Sequence, residues 1–201
     1  MQNTLGKFPS NVMDTGAGLV KFGAQLLRTK MNDSALPFGA RKTIFDNVAQ
    51  SSARRYANCE IPIAQVKAIA KKTDTTINDV VTTIIDDALH HYLKDHNESI
   101  DVPLVSLMAM SIRTEGQQAS GNQAIVELVP MGQPTATVAQ RLQQVHDSIK
   151  KIKSKSQKRP NAARKFYSIF ILGSSALGDF SSAFEAIPSA NLVISNMAGP
   201  Q

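Results

Sequence analysis

Apolar residues recur at three- and four-residue spacing between Thr75 and His96: Ile77, Val81, Ile84, Ile85, Ala88, Leu89, Tyr92 and Leu93 share one face, while Asp79, Thr83, Asp86 and His90 fall opposite. The spacing predicts one long helix. Upstream, 12–30 is a helix interrupted by Gly16, Gly18 and Gly23, 54–61 reads as a strand, and Pro62 opens a helix with Ile63, Val66, Ile69 and Ala70 on its apolar face. Downstream, Asn97-Glu98-Ser99 is a turn, 102–112 an apolar strand buried on both faces, and 123–131 a second strand. A helix over 134–155 carries the stripe Val138, Leu142, Val145, Ile149 and Ile152. A helix over 161–174, a short one near Ser181 and a strand over 191–195 complete the chain.

Two neighbouring polar residues at the start of the central helix differ in kind. Thr76 followed by Asp79 forms a capping box, so Asp79 has a structural role without further appeal. Asn78 points into the apolar sector near Ile85 and Leu89, where its amide needs a partner. It is expected to be buried and hydrogen-bonded, as a structural amide, as part of a reaction site, or as both.

The segment Thr76-Ile77-Asn78-Asp79-Val80-Val81 resembles the ND motif of the bacterial wax ester synthase/diacylglycerol acyltransferase family. Arg54-Arg55-Tyr56-Ala57, Ser111-Ile112-Arg113 with Gly121-Asn122-Gln123, and Ser195-Asn196-Met197-Ala198-Gly199-Pro200 resemble further family segments in the same order. The last departs from the family's SNVPGP by Met197 and Ala198. The resemblance implies an α/β fold, a chloramphenicol acetyltransferase-like sandwich with a mixed sheet and flanking helices. Residues 1–50 would be an N-terminal helix and linker, and 51–201 the C-terminal acyltransferase subdomain. It also implies a part in an acyl-CoA:alcohol or acyl-CoA:diacylglycerol O-acyltransferase, with acyl-CoA as substrate and no cofactor. This chain would supply tunnel wall and support; the competing reading is a non-catalytic lipid-surface or partner-binding domain that keeps the fold.

The near-site residues so implied are Asn78, Asp79, Arg113, Gly121, Asn122, Ser195, Asn196, Gly199 and Pro200. Arg113 has a structural ion pair as its other reading, and Ser195 and Asn196 a strand-to-turn cap. The family's catalytic HHxxxDG does not occur here. His90-His91-Tyr-Leu-Lys-Asp95-His96 imitates it, but His96 stands where the glycine belongs and the pair lies at a helix C-terminus, a place the helix dipole already favours for histidine. No catalytic residue is therefore assigned, and the chain alone is expected to be inactive. The sequence stops directly after Gly199-Pro200 and is expected to be truncated, its partner being the missing catalytic half.

Charge adds one feature. Of 22 Lys and Arg, eight fall in 150–165 with no acid among them, leaving 14 against 16 Asp and Glu elsewhere, so the net +6 is a local patch. Lys150, Lys151, Lys153, Lys155, Lys158 and Arg159 are candidates for contact with an anionic membrane, a lipid droplet or CoA phosphates, against the plainer reading of a solvated helix end. Nucleic acid is disfavoured, because no aromatic residues interleave with the cations. A single Cys59 excludes an internal disulfide and a cysteine-rich metal site. With 42% apolar residues and no secretory leader or apolar run of membrane-spanning length, a cytoplasmic protein, peripheral to membrane or lipid inclusions, is expected.

Overall fold

Capping boxes set the starts of two long helices. The computed structural model describes residues 39–46, 55–98, 101–111, 124–178 and 188–196. Helix α1 spans Ile63–Thr73 and α2 spans Ile77–Asp95. At the α2 start the Asp79 N–H donates to Thr76 Oγ1 at 3.2 Å and the Thr76 N–H to Asp79 Oδ2 at 2.8 Å, as the Thr-x-x-Asp spacing predicts. Strands β1 (Val105–Ser111) and β2 (Ala124–Pro130) follow, then helices α3 (Val138–Gln157) and α4 (Asn161–Gly178), and strand β3 (Leu192–Ile194). Helix α3 opens on a Thr137/Gln140 box, four residues later than Pro134, because the intervening carbonyls of Pro134 and Ala136 instead accept bonds from Arg141.

The sheet is mixed, in the order β2-β1-β3, with β1 antiparallel to β2 and parallel to β3. β1 is covered on both sides, as its near-continuous apolar run predicts. Met108 and Met110 join Leu93, Ile125, Val129 and Ile152 on the face under α2 and α3. Val105 and Leu107 join Leu128, Tyr167 and Ile171 under α4. The outer edge of β2 is closed at Val126, whose N–H donates to Ser168 Oγ of α4 at 3.1 Å, so this edge offers less to a foreign strand. Asn191 anchors the other side: its Oδ1 accepts the Val105 N–H at 3.0 Å, and its Nδ2 donates to the Arg41 carbonyl at 2.7 Å.

Three expectations fail. Residues 55–60 are exposed and form no strand, since pairing needs a neighbouring edge and none among the described residues meets them. In α1 only Val66 and Ala70 are buried, while Ile63 and Ile69 are 55% and 43% exposed. The largest departure is α2, whose polar face is a buried one. Asp79, Thr83 and Asp86 are 2%, 3% and 0% exposed, whereas Ile77, Ile84 and Tyr92 are 37%, 38% and 47% exposed. Ile85, Leu89 and Leu93 do meet the sheet, Val80 and Val81 meet α1 and Leu142, and the polar stripe meets α3. The helix is thus enclosed on several sides, a situation that a single-stripe reading does not describe. The expected helix at 12–30 and the one near Ser181 lie outside the described residues.

A second polar contact crosses from β2 to the end of α3. Glu127 is 3% exposed, and Arg159 Nη1 donates to both its oxygens at 3.0 and 3.3 Å while the guanidinium lies 4.8 Å from the centre of the Tyr167 ring. Burial raises the Glu127 carboxyl above its ordinary value, with Arg159 and Ser156 pulling it down by less. The same burial, with the Glu127 charge beside it, pushes the Tyr167 phenol upward. Because the folded Glu127 binds its proton more tightly than the unfolded one, its contribution to stability is complete below the ordinary glutamate range and is lost as pH rises through the folded value. Glu127→Gln keeps an acceptor for Arg159 but no titration. Urea unfolding from about pH 4 to about pH 7 should therefore show this variant gaining on the wild type as pH rises. A variant that loses ground to the wild type as pH rises contradicts this assignment.

Candidate functional site

The N-terminal turn of α2 and the end of β3 meet. Asn196 Nδ2 donates to Asn78 Oδ1 at 3.0 Å, across 118 positions of sequence. Asn78 is half-buried rather than fully enclosed, and Ser195 and Asn196 are exposed. Two residues implied by separate motifs thus lie side by side, and the partner that the Asn78 amide required is the other asparagine. An amide pair of this kind leaves the Asn78 Nδ2 and the Asn196 Oδ1 as a donor and an acceptor where the two elements meet.

Beneath this pair, Asp79 does more than cap. Its Oδ2 also accepts from His146 Nδ1 of α3 at 2.7 Å, with the histidine side chain 17% exposed and the aspartate 2%. The Thr83 hydroxyl donates to the Asp79 carbonyl at 2.8 Å. Two turns on, Asp86 Oδ2 accepts the Gly132 N–H at 3.0 Å and Arg141 Nη1 at 3.4 Å. Arg141 Nη2 donates to the carbonyls of Pro134 and Ala136 at 3.3 and 3.4 Å. The polar stripe of α2 is therefore tied to α3 at two points, Asp79 with His146 and Asp86 with Arg141.

Sequence reasoning missed His146, Arg141 and Gly132. A signal was present: Asp79, Thr83, Asp86 and His90 repeat with the same helical period as the apolar residues, and every one of them can hydrogen-bond. A stripe so regular marks an interface as readily as a solvated face. Gly132 is required because a Cβ there would overlap Arg141 Cγ and lie 2.9 Å from Asp86 Oδ2.

The two adjacent histidines diverge as their helical positions demand. His90 turns inward, 9% exposed, with Nδ1 2.8 Å from the Asp86 carbonyl oxygen and 3.2 Å from Asp86 Oδ1. A carbonyl only accepts, so Nδ1 carries a proton. His91 is 71% exposed, with Nδ1 2.8 Å from the Asp87 carbonyl. His96 caps the helix and stacks on Tyr92 at 4.1 Å between ring centres. Lys150, Lys151, Lys153, Lys155 and Lys158 are exposed at the end of α3, whereas Arg159 is committed to Glu127 and Tyr167 and does not belong with them. Arg113, Gly121, Asn122, Gly199 and Pro200 lie outside the described residues. No helix among the described residues is long and apolar enough to cross a membrane.

Two family models match the chain. The wax ester synthase/diacylglycerol acyltransferase catalytic domain matches residues 1–81, and the C-terminal domain of the same family matches 120–201. The chain belongs to the wax ester synthase/diacylglycerol acyltransferase family. Among relatives of this family, the probable diacylglycerol O-acyltransferase Tgs4 of Mycobacterium tuberculosis is 45% identical over 196 residues, covering 98% of this chain and 41% of the relative. The O-acyltransferase WSD of Acinetobacter baylyi is 30% identical over 155 residues, covering 77% of this chain and 34% of the relative. The solved wax ester synthase/diacylglycerol acyltransferase of Marinobacter aquaeolei VT8 shares the fold, with a TM-score of 0.55 at 19% identity over 96% of this chain and 41% of that one. The chain thus spans between about a third and two-fifths of the length of these relatives. Asn78 falls inside the catalytic-domain match and Asn196 inside the C-terminal match, so their hydrogen bond joins the two family segments.

Proposed function

We propose that this chain is part of an acyl-CoA:alcohol or acyl-CoA:diacylglycerol O-acyltransferase, in which the Asn78–Asn196 pair forms part of the wall of the substrate tunnel. The observation that carries the reading is that bond, which brings the ND segment and the Ser195-Asn196 segment of one family together. In the reaction, the acceptor hydroxyl oxygen attacks the thioester carbon, a C–O bond forms, the C–S bond breaks, and the hydroxyl proton passes through a base to the departing CoA thiolate. A hydroxyl is a poor nucleophile without a positioned base. Neither member of the His90-His91 pair suits that role: Asp86 holds the His90 ring so that its remaining nitrogen, Nε2, is buried out of reach of a substrate hydroxyl, and His91 stands in solvent on the helix side. The base is assigned to an HHxxxDG histidine outside these 201 residues, and Asn78 and Asn196 orient substrate polar groups beside it.

Ester formation from acyl-CoA and a long-chain alcohol tests this. The 201-residue chain alone should give none. Addition of the N-terminal segment of the Mycobacterium tuberculosis relative should restore turnover, which Asn78→Ala should lower by roughly ten- to a hundredfold, corresponding to about 1.4–2.8 kcal/mol of transition-state stabilisation. Turnover by the chain alone that His91→Ala abolishes would overturn the assignment.

A second reading, a lipid-surface role, is favoured by the five exposed lysines at the end of α3. Each cation near an anionic bilayer contributes about 1 kcal/mol, and the chain would work peripheral to a membrane or lipid inclusion in the cytoplasm. Co-sedimentation with phosphatidylserine-containing vesicles should be lost in high salt and on replacing Lys150, Lys153 and Lys155 by Gln. Equal binding to neutral phosphatidylcholine vesicles contradicts it.

A further inference from the structure

The turn that presents Asn78 is gripped from a second helix. Asp79 directly follows Asn78, and its Oδ2 lies 2.8 Å from the Thr76 backbone nitrogen and 2.7 Å from His146 Nδ1. One oxygen therefore closes the capping box and bonds to α3. The aspartate is 2% exposed, so a lost donor here is not replaced by bulk water. His146 is carried by the same helix as Arg141, whose contact with Asp86 fixes α2 two turns further on. Two attachments on one helix set both the axial position and the rotation of α2. Rotation is what decides whether Asn78 faces Asn196, since neighbouring helical positions diverge by about 100°.

We propose that His146 is a positioning residue for this site: through Asp79 it holds the first turn of α2 so that the Asn78 side-chain oxygen, Oδ1, accepts from the Asn196 Nδ2. His146 touches neither asparagine in the role proposed and takes no part in bond making. The catalytic relevance of this latch rests on the functional reading given above, whereas the latch itself does not. A conventional core role for His146 would change stability without singling out Asn196.

The test is the Asn196 side-chain NH2 signal in a 15N-resolved spectrum of the 201-residue chain, assigned by its disappearance in Asn196→Ala. Asn78→Ala removes the acceptor and moves that signal. His146→Ala should move it in the same direction, and His146→Asn, which places an amide donor where Nδ1 stood, should return it to the wild-type position. Ile171→Val, which trims the core on the other face of the sheet, should lower the midpoint of unfolding and leave the signal in place. If His146→Ala does not fold, His146→Gln, whose donor is one bond further out, should still displace the signal relative to His146→Asn. An unmoved Asn196 signal in folded His146→Ala, identical signals in the Asn and Gln variants, or an equal shift in Ile171→Val overturns the proposal. No turnover is needed for this readout. Absence of ester formation in the reconstituted assay would count against the functional reading and leave the latch standing, and an unmoved signal would do the reverse.

Discussion

The contact between Asp86 and Arg141 constrains most of what surrounds it. Both side chains are nearly out of solvent, at 0% and 5% exposure, and withdrawing two charges from water costs several kcal/mol each unless geometry and further hydrogen bonds compensate. Compensation comes from the chain segment between β2 and α3. Gly132 gives its N–H to the carboxylate, and Pro134 and Ala136 give their carbonyls to the guanidinium. That segment must therefore curl around the arginine, α3 cannot begin before Val138, and no side chain fits at position 132. Breaking any one partner leaves the others buried and unmatched.

From this constraint the rest of the site follows. Helix α2 is clamped to α3 at Asp86, and the same two helices meet again at Asp79 and His146. Between these fixed points Ile85, Leu89 and Leu93 fall onto the sheet, where β1 is the central strand. The parallel partner of β1 is β3, whose last residues carry Asn196 to Asn78. Packing of the sheet places one asparagine and the polar clamp places the other. Ile77, Ile84 and Tyr92 are left exposed as the consequence of a rotation chosen by charges rather than by apolar area.

The presence and order of α2, β1, β2, α3 and α4 were legible in the sequence because each rests on local information, a Thr-x-x-Asp cap or a run of apolar residues, whereas the start of α3 at Val138 in place of Pro134 was not. So was the need of Asn78 for a partner. The face of α2 was not legible. Its apolar stripe is real, yet only half of it meets the core, because Asp86 finds Arg141 at a separation of 55 residues and Asp79 finds His146 at 67, and nothing local encodes those pairings. The same holds for Asn78 and Asn196, which were implicated separately by family resemblance and joined only by the fold. At 54–61 the composition suits a strand, but a strand requires a neighbour, and that is a property of the whole chain. Arg159 shows the converse case, a cation counted with its lysine neighbours that instead pairs with Glu127 on the sheet.

The polar stripe of α2 is a specific contact and not a tolerated one. Equilibrium unfolding of Asp86→Leu, Arg141→Met and the double variant tests this most directly. Each single change should cost about 3–5 kcal/mol, because it leaves one buried charge without its partner, and the double variant should recover a large part of that loss. Single variants within about 0.5 kcal/mol of the wild type, or costs that simply add in the double variant, would contradict it.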